Sequence, residues 1–124
     1  MRSADERRIA HGQGIIAERV AIMLLRLKFY SILARRYSIR GGEIDIVARR
    51  RDVVAFVEVK ARPGLDEAAM AISEVKRRKM SQAARVWVTR NSWAMDATLR
   101  GDAVFVAPGR LPRHLPAAYL LDID

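Results

Sequence analysis

The stretch Glu43–Lys60, EIDIVARRRDVVAFVEVK, decides the fold. It holds two β-branched, alternating segments, Glu43 to Ala48 and Val53 to Ala61, meeting at the polar Arg51-Asp52. Strand side chains alternate between faces, so Ile44, Ile46 and Ala48 share one face, as do Ala55, Val57 and Val59. A two-residue turn at Arg51-Asp52 makes opposed residue numbers sum to 103 in an antiparallel hairpin. Ile46 then meets Val57 and Ile44 meets Val59, giving one wholly apolar face. On the other face Val47 meets Phe56, Asp45 meets Glu58, and Glu43 meets Lys60. A one-residue slip would destroy the apolar face, so the register carries Asp45 against Glu58. Opposed like charges destabilise a hairpin.

Two readings account for that conflict. In one, the end of the hairpin is solvated and Glu43 pairs with Lys60, a surface ion pair of little energetic weight. In the other, Asp45 and Glu58 share a hard divalent cation. Mg²⁺ is commonly held by one or two carboxylates together with water and phosphate oxygens. Lys60, on the face of Glu58, would then reach a phosphate or an attacking water. The helical spacing of Ile15, Glu18, Ile22 and Leu25 adds a carboxylate to an apolar stripe. Such a group is expensive to bury unpartnered, so Glu18 is expected either at the stripe's edge or with the strand acids.

Outward from the hairpin, the pattern predicts the order α-β-β-β-α-β. A helix runs from Ile15 through IIAERVAIMLLRLKFY, and SILARRY is a short strand set off by Gly41-Gly42. A second helix is expected over Asp66 to Thr89. DAVFVA is the last strand, and Pro108, Gly109, Pro112 and Pro116 mark a looping tail. The 124 residues read as one domain, 1–124, large enough for one core.

With no cysteine, disulfides, thiolate chemistry and cysteine zinc sites are excluded. No segment reads as a signal peptide or membrane span, which makes the cytoplasm the expected compartment. There are 23 Lys and Arg against 14 Asp and Glu, for a net charge of +9. The basic residues cluster at Arg7-Arg8, Arg35-Arg36, Arg49-Arg50-Arg51 and Lys76-Arg77-Arg78-Lys79. Such a field attracts polyanions, and nucleic acid is the expected partner, with no membrane association. His11 and His114 are read as surface or packing residues.

GEIDIVARRRDVVAFVEVKAR resembles the central signature of the YraN-like family of bacterial proteins. The likeness extends to GIIAERVA, ILARRY and LRGDAVFVAPGR. That family is similar to Holliday-junction resolvases and to the wider restriction-endonuclease-like PD-(D/E)XK fold. The resemblance implies an α/β (α+β) domain with a central mixed four- to five-stranded sheet flanked by helices. It implies a metal-dependent nuclease acting on DNA, with branched DNA among its substrates and pairing of two copies left open. A nucleic-acid-binding module of the same fold without turnover is the alternative. The resemblance makes Asp45, Glu58 and the Val59 backbone carbonyl the ligands of Mg²⁺, with Mn²⁺ as a substitute. Glu18 corresponds to the helical acid, acting directly or through water, and Lys60 to the signature lysine. The backbone of DNA would meet Lys76, Arg77, Arg78, Lys79, Arg35 and Arg36. Gly101 departs from the family, which usually carries a large apolar residue there, and so lacks a packing group beside Asp102.

Overall fold

The computed structural model describes the backbone of residues 4–66 and 70–123, and side chains from residue 14 onward within those ranges. Among these residues the order is α1 (Ala4–Leu27), β1 (Ser31–Ile39), β2 (Gly42–Arg50), β3 (Val53–Lys60), α2 (Glu74–Arg90), a 3₁₀ turn (Ser92–Asp96), β4 (Thr98–Phe105) and β5 (Arg113–Tyr119). The strands form one five-stranded sheet in the order β1-β2-β3-β4-β5. Only β3 and β4 run parallel. The chain from β3 to β4 passes through α2, as a parallel connection requires.

The helices cover opposite faces of the sheet. Ala21, Ile22 and Leu25 of α1 pack on Ile46, Ala48, Ala55, Val57 and Val104. Ala83, Ala84, Trp87 and Val88 of α2 pack on Ile44, Val47, Val54 and Phe56. With helices on both faces, the central strands are buried on both sides, which is why VVAFV is apolar throughout rather than alternating. Ser73 caps α2, its Oγ accepting from the Lys76 N–H at 3.2 Å. The expected helix over Asp66 to Thr89 is therefore interrupted: residues 71–73 are not helical, Met70 N–H donates to the Asp66 carbonyl at 2.9 Å upstream of them, and residues 67–69 lie outside the described residues.

The hairpin register is the expected one where the strands pair: Ile46 faces Val57, Val47 faces Phe56 and Arg50 faces Val53. The described β2–β3 ladder stops at Ile46–Val57, so Ile44 and Glu43 are not carried onto Val59 and Lys60. Ile44 and Ile46 also fail to share a face, since Ile44 lies beneath α2 and Ile46 beneath α1. The alternation breaks at Asp45. Across from it on β1, between the paired Arg35 and Tyr37, Arg36 has φ 49.

The tail is a strand rather than a loop. β5 is an edge strand, where Pro116 needs no partner for its missing N–H. Its pairing with β4 shifts between Gly101 and Ala103, and Ala117 within the shift has φ 54. That bulge aims the Ala117 N–H at Asp102 Oδ1, 3.0 Å away. The return of β5 also explains Gly101. A Cβ there would lie 2.7 Å from the Tyr119 ring and from its carbonyl oxygen, and the Tyr119 hydroxyl is tied to the Phe56 carbonyl at 2.5 Å. Tyr119 fills the space that a large residue at 101 would otherwise take. Gly101→Ala is expected to lower the unfolding free energy by about 1–3 kcal/mol, as overpacking does, read from urea denaturation.

Candidate functional site

The parting of β2 from β3 builds the site. Beyond Ile46–Val57, Asp45 turns its carboxylate to the strand it has left: Oδ2 accepts from the Val59 N–H at 2.8 Å. Glu58, one residue earlier on β3, is 6 % exposed. Its Oε2 is buried with no hydrogen-bond partner, while Oε1 lies 3.5 Å from Lys76 Nζ. Lys76 reaches out from the first turn of α2 and also lies 3.5 Å from Glu43 Oε1. Glu43 thus pairs with Lys76, and its side chain is exposed.

Burial pushes Glu58 up to about 8, and the neighbouring Asp45 carboxylate adds to it against the pull of Lys76. Burial also raises Asp45, offset in part by the Val59 N–H. Two carboxyl groups this close share a titration. The proton belongs on Glu58, because Asp45 has a backbone donor to hold its negative charge and Glu58 Oε2 has none. Burial lowers Lys60 against the opposing pull of Glu58. Burial also works against the charge of Lys76, but Glu58, Asp45 and Glu43 outweigh it and its pKa is raised.

Glu18 is buried with arginines beside its carboxylate, although its Oε1, like Glu58 Oε2, has no hydrogen-bond partner. Arg36 Nε donates to Oε2 at 2.9 Å, and Arg35 Nε lies 3.7 Å from Oε1. Glu18, Arg36, Glu43, Asp45 and Val59 line one cleft of about 490 Å³. Glu18 therefore shares the cleft with Asp45, but among the described residues no three Asp, Glu, His or Cys side chains gather as a ready-made metal cage.

The arrangement nonetheless suits a divalent cation. A buried carboxylate oxygen without a partner is costly, and the two acids repel each other once the proton they retain is lost. A cation between Asp45 and Glu58 relieves both, and Mg²⁺ asks for no more than one or two carboxylates.

The basic residues do not form one uniform patch. Lys76 belongs to the acid cluster. Arg77 is drawn to Glu74 at 2.5 Å and to the Leu120 carbonyl at 3.3 Å. Arg78 and Lys79 are exposed. Arg35 and Arg36 flank the cleft through Glu18 while their side chains remain 54 % exposed. Sequence spacing gave no sign that Lys76 and Arg36 would meet the acids, because both contacts are made between elements far apart in the chain.

A second polar cluster lies under the sheet's other half. Asp102 is 0 % exposed. It accepts from Arg100 Nε and Nη2 at 2.8 Å each, from His114 Nε2 at 2.8 Å, and from Ala117 N. Arg100 also donates to the Tyr30 hydroxyl at 2.6 Å. Lys28 contacts His114 Nδ1. An ammonium only donates, so Nδ1 accepts and Nε2 carries the proton given to Asp102. His114 is therefore a buried packing residue with both ring nitrogens engaged. The side chain of His11 lies outside the described residues.

A mixed five-stranded sheet with a helix on each face, and acids where two central strands part, is consistent with a restriction-endonuclease-like α+β domain. Residues 17–106 match the profile of the uncharacterised protein family UPF0102. Similar chains are a UPF0102 protein of Methylocella silvestris, 60 % identical over 122 residues covering 98 % of each chain, and one of Methylobacterium nodulans, 56 % identical over 120 residues covering 97 % of this chain and 93 % of that one. The chain belongs to the UPF0102 family, the YraN-like family that its central signature resembles. No helix among the described residues is long and apolar enough to cross a membrane.

Proposed function

We propose that this protein is a metal-dependent nuclease that hydrolyses phosphodiester bonds in DNA, with branched, junction-like DNA as the favoured substrate. The observation that carries this reading is the buried, unpartnered Glu58 Oε2, one residue along β3 from the Val59 N–H that holds Asp45 at the wall of the cleft. Asp45, Glu58 and the Val59 carbonyl would hold Mg²⁺ or Mn²⁺, with Glu18 acting directly or through water. The cation, when bound, would neutralise charge developing on phosphate and make water a better nucleophile. The Val59 N–H fixes the Asp45 carboxylate toward β3. Lys60, half-buried two residues beyond Glu58, places a positive charge where a phosphate would lie. Arg35 and Arg36 beside the cleft, with the exposed Arg78 and Lys79, would present cations to the DNA backbone, while Lys76 and Arg77 are engaged by the acids.

A second reading, a DNA-binding module without turnover, draws on Lys76. Its ammonium sits 3.5 Å from both Glu43 and Glu58 and supplies positive charge to the acids by itself. The two readings separate on a panel of linear duplex, single-stranded, flapped and four-way-junction DNA incubated with Mg²⁺ or Mn²⁺. The nuclease reading expects nicks on at least one substrate that vanish with chelator. Binding across the panel without a metal-dependent product supports the module.

A further inference from the structure

The cluster Arg49-Arg50-Arg51 takes no part in the acid site. It sits at the turn of the β2–β3 hairpin, ~17 Å along β2 from Asp45 at ~3.4 Å per residue. Two of its side chains are held in place. Arg50 lies over the Tyr30 ring, 4.6 Å from the centroid, and donates from Nη1 to the Lys28 carbonyl at 3.1 Å. Arg49, on the other side of the sheet, lies 4.6 Å over Trp93 and donates from Nε to the Arg51 carbonyl at 2.9 Å.

Beside Arg50 and Arg51 stands Phe29, with its ring in solvent: the residue is 86 % exposed. Phe29 closes α1. Its N–H bonds to the Arg26 carbonyl and the Tyr30 N–H to the Leu25 carbonyl, at 3.0 and 2.9 Å. This is the Schellman arrangement, with Phe29 at the left-handed position that glycine usually fills, and its φ is 70. Arg51 in the hairpin turn has φ 56. The two cap hydrogen bonds hold the backbone there, but they ask nothing of a phenylalanine side chain, whose ring is left in water. Backbone strain such as this left-handed φ concentrates where a ligand is met. Phe29, Arg50 and Arg51, with Asp52 and Val53, line an open cleft of about 560 Å³.

The geometry points to a second nucleic-acid contact at this turn, in which the Phe29 ring stacks on an unpaired base while Arg50 and Arg51 hold the flanking phosphates. An exposed aromatic face beside cations is what single-stranded nucleic acid requires. Asp52 is the acid in the cleft, outnumbered by the two arginines, so a polyanion is favoured over a neutral apolar partner. The assignment rests on the nucleic-acid partner proposed above, but not on the metal or on cleavage.

The test uses the whole chain in chelator, with an oligo(dT) strand, a blunt duplex of equal length, and vesicles rich in phosphatidylserine. Phe29→Gly relieves the strained cap, so its melting temperature is expected to equal or exceed that of the wild type. Its affinity for oligo(dT) is expected to fall roughly 5- to 150-fold, the share of one stacked base, with little change on blunt duplex. Phe29→Trp keeps the stacking face and is expected to retain the single-strand affinity. Wild type that binds oligo(dT) no better than Phe29→Gly overturns this contact alone. Loss confined to the vesicles also overturns it and gives the turn to a lipid surface. Wild type that binds neither nucleic acid overturns both this contact and the nucleic-acid partner on which it rests.

Discussion

Asp102→Ala is expected to lower the unfolding free energy by about 3–5 kcal/mol, the cost of leaving a buried charge without its partner. Stability of a small domain is about 5–15 kcal/mol in total, so this change alone removes a large share of it. The reason lies in what Asp102 gathers: Arg100, the His114 ring and the Ala117 N–H all donate to it. Each loses its acceptor at once, and the bulge of β5 loses its reason to form. Asp102→Asn keeps the shape and is expected to cost less, about 1–3 kcal/mol.

The pH dependence has a definite sign. Burial works against the Asp102 charge, but hydrogen bonds from His114, Arg100 and Ala117 outweigh it and hold the carboxyl below its ordinary value. A depressed acid contributes stability above its unfolded pKa and loses it as pH falls through the folded one. The gap between wild type and Asp102→Asn should therefore be full at neutral pH and shrink in acid below pH ~4. Urea denaturation across that range measures it.

Asp45→Asn is expected to reduce DNA cleavage about a hundredfold or more, since Lewis-acid stabilisation amounts to several kcal/mol and each ~1.4 kcal/mol is tenfold in rate. Binding should hold or tighten, because a negative charge near phosphate is lost. Lys60→Ala should also lose cleavage, but with weaker binding, because a positive charge is lost. The opposite signs of the two binding effects distinguish a site residue from an unfolded variant or a contaminating nuclease. Single-turnover cleavage and binding titrations on the same preparations give both numbers.

The hairpin was legible because apolar alternation on two adjacent segments admits one register, and Ile46 does face Val57. The acids were legible from the same pattern, as charges where the alternation predicts conflict. What the pattern could not show was the escape from that conflict. Asp45 leaves the ladder to accept from Val59, and this throws Ile44 onto the α2 side, a choice made by the backbone. Glu18 was legible as a carboxylate on an apolar stripe, but its arginine partners depend on the left-handed turn at Arg36. β5 was hidden by Pro116, which reads as a loop in isolation and is harmless on an edge. Tyr119, lying over Gly101, is a contact between residues eighteen apart that no local rule anticipates.

The central claim is that Asp45 and Glu58 form a cation site, and Mn²⁺ titration into DNA-free protein tests it most directly. Glu58 sits near 8 because burial and Asp45 disfavour its charge. A raised acid stabilises the fold below its unfolded pKa and loses that contribution as pH rises to the folded one. Metal-free protein should thus grow less stable as pH climbs from the ordinary glutamate range toward about 8, and Glu58→Gln should flatten that slope. A bound cation displaces the proton, so Mn²⁺ affinity should rise up to about tenfold per pH unit below that value. Calorimetry is expected to find one Mn²⁺ per wild-type chain, tighter at higher pH, and no such binding in Asp45→Asn. Equal Mn²⁺ binding by wild type and Asp45→Asn, or none by wild type at any pH, would contradict the account.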